Sequence, residues 1–137
     1  MQTEMKSVIQ PVESVSSWKE ARLLITDYFE SPPVVLKIED SIIGTLGNFS
    51  ASTGKAKSKK TFNLCAIVSS ALTNSTVLNY TSFLPIGKHK ILYVDTEQSK
   101  FHCKRVLSRI LQLAGLPLNQ HPKNLEFLSL RGYATKE

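Results

Sequence analysis

The chain has 137 residues, 42% of them apolar, which is material for one modest core and not for a second independent domain. No stretch approaches the roughly 18 uninterrupted apolar residues of a membrane span, and Met1 to Pro11 has no apolar run of the secretory type, so a soluble cytoplasmic protein without membrane contact is expected. A formal net charge of +6 favours phosphate-bearing partners, although several of the lysines crowd into one short loop.

In chain order, Ser17-Trp18-Lys19-Glu20 has the Ser-x-x-Glu spacing of a capping box. Ala21, Leu23, Leu24, Tyr28 and Phe29 follow in helical order, which predicts a helix from about Ser17 to Phe29. Ser31-Pro32-Pro33 stops it, because proline lacks a backbone donor and disfavours helix in the residue before it. Residues 1–31 therefore read as a helical segment and linker.

Val34, Val35, Leu36 and Ile38 form a β-branched run, and Ile42-Ile43 with Gly44 and Gly47 read as a turn towards the next strand, at Asn48 to Ser52. Thr61 to Leu72 follows as a helix that is apolar around most of its circumference, hence buried on more than one side. Thr73 to Lys90 is a polar connection. Ile91-Leu92-Tyr93-Val94 is a continuous apolar run of the kind found in a parallel strand covered on both faces.

Ser99 is a good N-cap for a second helix, whose apolar stripe runs through Cys103, Val106, Leu107, Ile110, Leu111 and Ala114 before Gly115 and Pro117 end it. Its Lys100, Lys104, Arg105 and Arg109 share one basic face, read either as meeting DNA phosphates or as a solvated surface alone. Leu125 to Leu130 alternates as a last strand. The β-α-β-α-β order predicts an α/β fold with a parallel β-sheet, flanking helices and right-handed crossovers. Cys65 and Cys103 sit in apolar patterns without CxxC partners and read as reduced thiols, and the scattered His89, His102 and His121 make no zinc site.

The chemistry concentrates in Gly54-Lys55-Ala56-Lys57-Ser58-Lys59-Lys60-Thr61. It matches the phosphate-loop pattern G-x-x-x-x-G-K-[ST] at the first glycine, the lysine and the hydroxyl, with Lys59 where the second glycine belongs. In such a loop successive backbone N–H groups wrap a phosphate at a helix N-terminus, where unpaired donors and the helix dipole both favour negative charge. Residues Gly54 to Phe62 are thus the expected binding stretch for ATP with Mg2+. Lys60 neutralises the β- and γ-phosphates, and Thr61 offers its hydroxyl to magnesium. The alternative register, from Gly47 to Gly54-Lys55, has the wrong spacing and follows its lysine with Ala56.

Asp95-Thr96-Glu97 sets two carboxylates at the end of the apolar strand, where α/β proteins place functional groups. Glu97 is the candidate general base for a water in line with the γ-phosphate, and Asp95 the candidate second magnesium ligand beside Thr61. The competing reading is that these residues only turn the strand and cap the helix after it.

With the loop and Tyr93-Val94-Asp95-Thr96-Glu97-Gln98-Ser99 both in view, the chain resembles the RecA-like P-loop ATPases, specifically the helicase type carried by plasmids and mobilisable transposons. Lys57-Ser58-Lys59-Lys60-Thr61 is similar to their Lys-Ser-Gly-Lys-Ser/Thr core, and Asp95-x-Glu97 to their Asp-x-Glu string, which implies Glu97 as the catalytic glutamate. The resemblance spans about Pro33 to Leu130 and implies that residues 32–137 are the N-terminal part of such a core, with the Walker B strand and DNA-contacting loops further along. It further implies DNA handling, assembly into homo-oligomeric rings or filaments, and weak or absent hydrolysis by this segment alone. Two other functions fit the same residues: a small-molecule phosphotransferase, with Asp95 or Glu97 receiving a hydroxyl proton, and a nucleotide-binding module without turnover.

Overall fold

A computed structural model of the chain describes Trp18, residues 21–55 and residues 59–133. They fall into two compact units, Met1–Ser31 and Pro32–Glu137. The capping residues Ser17, Lys19 and Glu20 lie outside the described residues.

In the first unit, residues 21–31 are not helical, contrary to the capped helix expected there. A turn takes its place. The Asp27 amide donates to the Leu24 carbonyl at 3.0 Å, and the Leu24 amide donates to Asp27 Oδ2 at 2.8 Å. Leu23, Tyr28 and Phe29, the stripe that was to drive helix formation, are exposed. A short amphipathic helix is marginal unless its apolar face is buried, and an aspartate able to close a turn on its own backbone competes with it.

In the second unit, β1 (Val34–Ile38) and β2 (Ser41–Thr45) form an antiparallel hairpin. β3 (Thr76–Val77) and β4 (Tyr80–Ser82) form another, and β4 pairs with the free edge of β1. The result is a four-stranded sheet of order β2-β1-β4-β3. Between the hairpins runs α1 (Lys60–Thr73). β5 (Ile91–Asp95), α2 (Lys100–Leu113) and β6 (Leu125–Ser129) follow as a β-α-β unit with β5 and β6 parallel and in register, Tyr93 opposite Phe127.

The fold is therefore mixed α/β with a small parallel sheet and two helices, and the first sheet is antiparallel where a single parallel sheet was expected. The strand expected at Asn48 to Ser52 is not formed, and Phe49 there is almost fully exposed. Both edges of β1 are taken by β2 and β4, and residues 48–52 do not add to the sheet. Ile42 and Ile43, read as part of a turn, belong to β2.

The two helices end in the same way by different residues. Gly115, at φ 66°, closes α2 while the Leu116 and Gly115 amides donate to the Leu111 and Gln112 carbonyls. At the end of α1, Asn74 takes the left-handed conformation at φ 46°, and the Ser75 and Asn74 amides donate to the Ser70 and Ala71 carbonyls. The Asn74 side chain also accepts the Leu84 amide at 2.6 Å.

The core joins α1, α2 and the parallel strands: Cys65, Val68, Val106, Ile110 and Leu125 are buried, with Leu72, Ile91, Tyr93 and Phe127 packed against them. Tyr93 and Phe127 stack across the strand pair at 4.5 Å between ring centres. Serines let the elements approach closely. Ser69 Oγ lies 2.8 Å from the Ile110 carbonyl of α2, and Ser70 Oγ lies 2.7 Å from Ser82 Oγ of β4. Only one face of the parallel pair is covered, since Leu92 and Val94 remain exposed where burial on both faces was expected. Among the described residues no helix is long and apolar enough to cross a membrane.

Candidate functional site

α1 begins without the device that begins α2. The α2 N-cap, Ser99, takes extended backbone, accepts the His102 amide, and holds His102 Nδ1 at 2.9 Å. The residue before α1 is Lys59, at φ 59° and ψ 21°, and it makes no side-chain cap. No acidic residue lies in the first turn of α1. Among the described residues the leading amides of this helix thus have neither an intrahelical acceptor nor a side-chain one, which leaves an anion-seeking end.

The left-handed torsions of Lys59 bear on the loop motif directly. Position 59 is where the motif carries glycine, and it has the backbone geometry for which glycine is the default residue. The lysine Cβ is accommodated there at a conformational cost of roughly 1–2 kcal/mol. Lys60 bends back across the loop, its Nζ donating to the Gly54 carbonyl at 2.7 Å. Both ends of the loop are therefore tied, while Ala56, Lys57 and Ser58, expected to contribute backbone amides, lie outside the described residues. Gly54, Lys55 and Lys59 are exposed, Phe62 is partly exposed on the first turn of α1, and Thr61 is half-buried.

Lys60 and Thr61 face the carboxyl end of β5 across a cleft of about 340 Å³, inside the ~300–1,000 Å³ range of small-molecule sites. Tyr93, Val94, Asp95, Thr96, Glu97 and Gln98 line its other wall, with Ser52 and Leu64 completing it. The structure thus brings the loop lysine and threonine to the same cavity as both carboxylates. The arrangement follows from topology, because α1 packs against β5 and the cleft opens where the strand ends and the helix starts.

The two carboxylates differ in what holds them. Asp95 is buried, its Oδ1 accepting the Glu97 and Gln98 amides at 3.0 and 2.7 Å and its Oδ2 accepting Gln98 Nε2 at 3.0 Å. It turns the chain sharply out of β5 and fixes the backbone of Glu97, whose own side chain is exposed. Sequence reasoning weighed the turn as a rival to a chemical role; the geometry gives the turn to Asp95 and leaves Glu97 facing the cleft. Gln98 was read only as part of the string, yet it both fastens Asp95 and lines the cavity. Its signal was the spacing, three residues beyond an aspartate that ends a strand.

Tyr93, beneath the cleft, has its hydroxyl pushed up from its ordinary value by burial, reinforced by the negative charge of Asp95. In the same core, burial pushes the Cys65 thiol up, against the pull of the Arg109 guanidinium on α2. The basic residues of α2 do not form the single face expected of them. Lys100 and Lys104 border a cavity against β6, whereas Arg105 and Arg109 border another against α1.

Comparison with known protein families, with curated proteins and with solved structures finds no match to the chain.

Proposed function

We propose that the second unit binds ATP with Mg2+ through Gly54 to Phe62, as the nucleotide-binding part of a RecA-like ATPase that handles DNA in a mobile element. The observation that carries this reading is the meeting of an uncapped helix N-terminus, a left-handed residue at the motif's glycine position and the Lys60–Thr61 pair with Glu97 around one cleft. The free amides of α1 and Lys60 would receive phosphate oxygens. Magnesium would be held by the Thr61 hydroxyl on the Asp95 side of the cleft and would take its remaining ligands from phosphate and water, as this cation prefers. It supplies charge neutralisation on the phosphoryl oxygens.

In this reading Asp95 holds the turn that presents Glu97, and Glu97 takes a proton from water during hydrolysis. Breaking the Lys60–Gly54 contact frees the ammonium for phosphate. A phosphotransferase would use the same cavity with a hydroxyl substrate in place of water, and a module without turnover would use the loop alone.

The test is titration of the chain with Mg2+ and ATP by calorimetry, repeated with Lys60→Ala and Glu97→Gln. Lys60→Ala is expected to weaken binding at least tenfold and Glu97→Gln to leave it within a few-fold. Equal binding by wild type and Lys60→Ala, or none by either, overturns the assignment.

A further inference from the structure

α1 and α2 enclose a second groove of about 310 Å³, lined by Thr61, Gln98, His102, Arg105, Val106 and Arg109. Two guanidiniums and an imidazole contribute to its walls, and no carboxylate does. His102, Arg105 and Arg109 recur at helical spacing, so they form one ridge rising about 10 Å along α2 at 1.5 Å per residue. Beside the ridge, one turn before Arg105, Phe101 stands 69% exposed, its ring edge-on to His102 at 5.5 Å between centres. The ring lies outside the buried stripe of this helix, Cys103, Val106, Ile110 and Leu111.

A positive groove flanked by an exposed aromatic platform is what a single strand of nucleic acid requires, the cations following its backbone and the ring taking a base. Duplex lacks unstacked bases for the ring. We infer that this groove binds the phosphodiester backbone of single-stranded nucleic acid, with Arg105 and Arg109 on phosphates and Phe101 under a base. Thr61 and Gln98 line this groove and the nucleotide cleft alike, so the strand would end against the nucleotide site. The inference rests on the DNA-handling half of the proposed function and is independent of its nucleotide half.

The experiment is fluorescence anisotropy of labelled oligothymidylate and oligouridylate with the full chain, in EDTA without nucleotide, as salt is raised. Arg105→Ala and Phe101→Ala alter exposed positions, and Lys104→Ala, on the opposite flank of α2, is the control. Circular dichroism of each variant monitors folding. The slope of log affinity against log salt should fall by about 0.7 in Arg105→Ala, one single-strand phosphate contact, and stay unchanged in Lys104→Ala. Phe101→Ala should weaken binding about 5- to 150-fold with the slope kept, the range for one stacked base. Similar affinity for both oligonucleotides supports a site that reads backbone and ring alone; preference for one assigns the source of the strand. If wild type binds strand and both Arg105→Ala and Phe101→Ala bind as tightly, the groove is the wrong place although DNA handling stands. Absence of binding by wild type at low salt overturns both.

Discussion

Lys59 offers a test in which the backbone argues against the usual order of side chains. Within a helix, alanine is more stabilising than glycine by about 0.5–1 kcal/mol. At φ 59° and ψ 21° the order should reverse. An L-residue in the left-handed region costs roughly 1–2 kcal/mol that glycine does not, while glycine's freer unfolded chain costs it about 0.4–1 kcal/mol relative to alanine. The difference leaves Lys59→Gly more stable than Lys59→Ala by between about 0 and 1.6 kcal/mol, centred near 0.8.

Both variants lose the same positive charge, so electrostatics cancel in the comparison. Exposed Lys104, inside α2, supplies the reference, where Ala should exceed Gly by about 1 kcal/mol. Urea unfolding followed by circular dichroism is the assay, because the lone tryptophan, Trp18, belongs to the other compact unit. In thermal melts the 59-position pair should separate by roughly 2–4 °C. If Lys59→Ala proves the more stable of the pair, position 59 is not left-handed, and the claim that the loop keeps its glycine geometry falls with it.

Three further outcomes follow from the packing. Ile110→Ala, at a fully buried position between α1 and the parallel strands, should cost about 2–5 kcal/mol in urea unfolding; a cost below 1 would mean the helices are not packed as described. Asn74→Ala should cost about 1–3 kcal/mol, since it puts alanine at φ 46° and strands the Leu84 amide. The same measurement across pH tests Cys65 and Tyr93, both raised in the folded chain from ordinary values of 9.0 and 10.0. The unfolded chain releases these protons first, so the stability they contribute is present below pH 9.0 and is lost as pH climbs through 9.0 and then past 10.0. A chain that grows more stable over that window contradicts the burial of both groups.

What the sequence revealed depended on how far apart its partners lay. α2 was legible from Ser99 to Gly115 because its cap, stripe and stop are local, and β5 and β6 because a β-α-β unit carries its pairing within one crossover. β3 and β4 were read as a polar connection. They are two and three residues long, rich in Thr and Ser, and exist because β1, some forty residues earlier, offers an edge. That edge is invisible to any local window. The N-terminal helix failed in the opposite direction, a strong local pattern whose Leu23, Tyr28 and Phe29 stay exposed. At the site, Lys60, Thr61 and Glu97 were nameable from motif spacing, whereas the division of work between Asp95 and Glu97 needed the hydrogen bonds of the turn.

The two helix starts show why the loop, more than the carboxylates, directs the functional reading. α2 satisfies its own N-terminus with Ser99, so its dipole is spent locally. α1 has no such acceptor, and its entry gathers Lys55, Lys59 and Lys60 with no carboxylate in the first turn to offset them. Those amines repel one another and the positive end of the helix alike, and among the described residues the relief is the Lys60 contact with the Gly54 carbonyl, a neutral acceptor. A left-handed lysine adds conformational strain to that repulsion. Selection for stability alone would place glycine at position 59, where the left-handed torsions cost an L-residue roughly 1–2 kcal/mol. Under the proposed function, a bound anion would offset the charge and supply the missing acceptor, while the torsion of Lys59 would stay as it is.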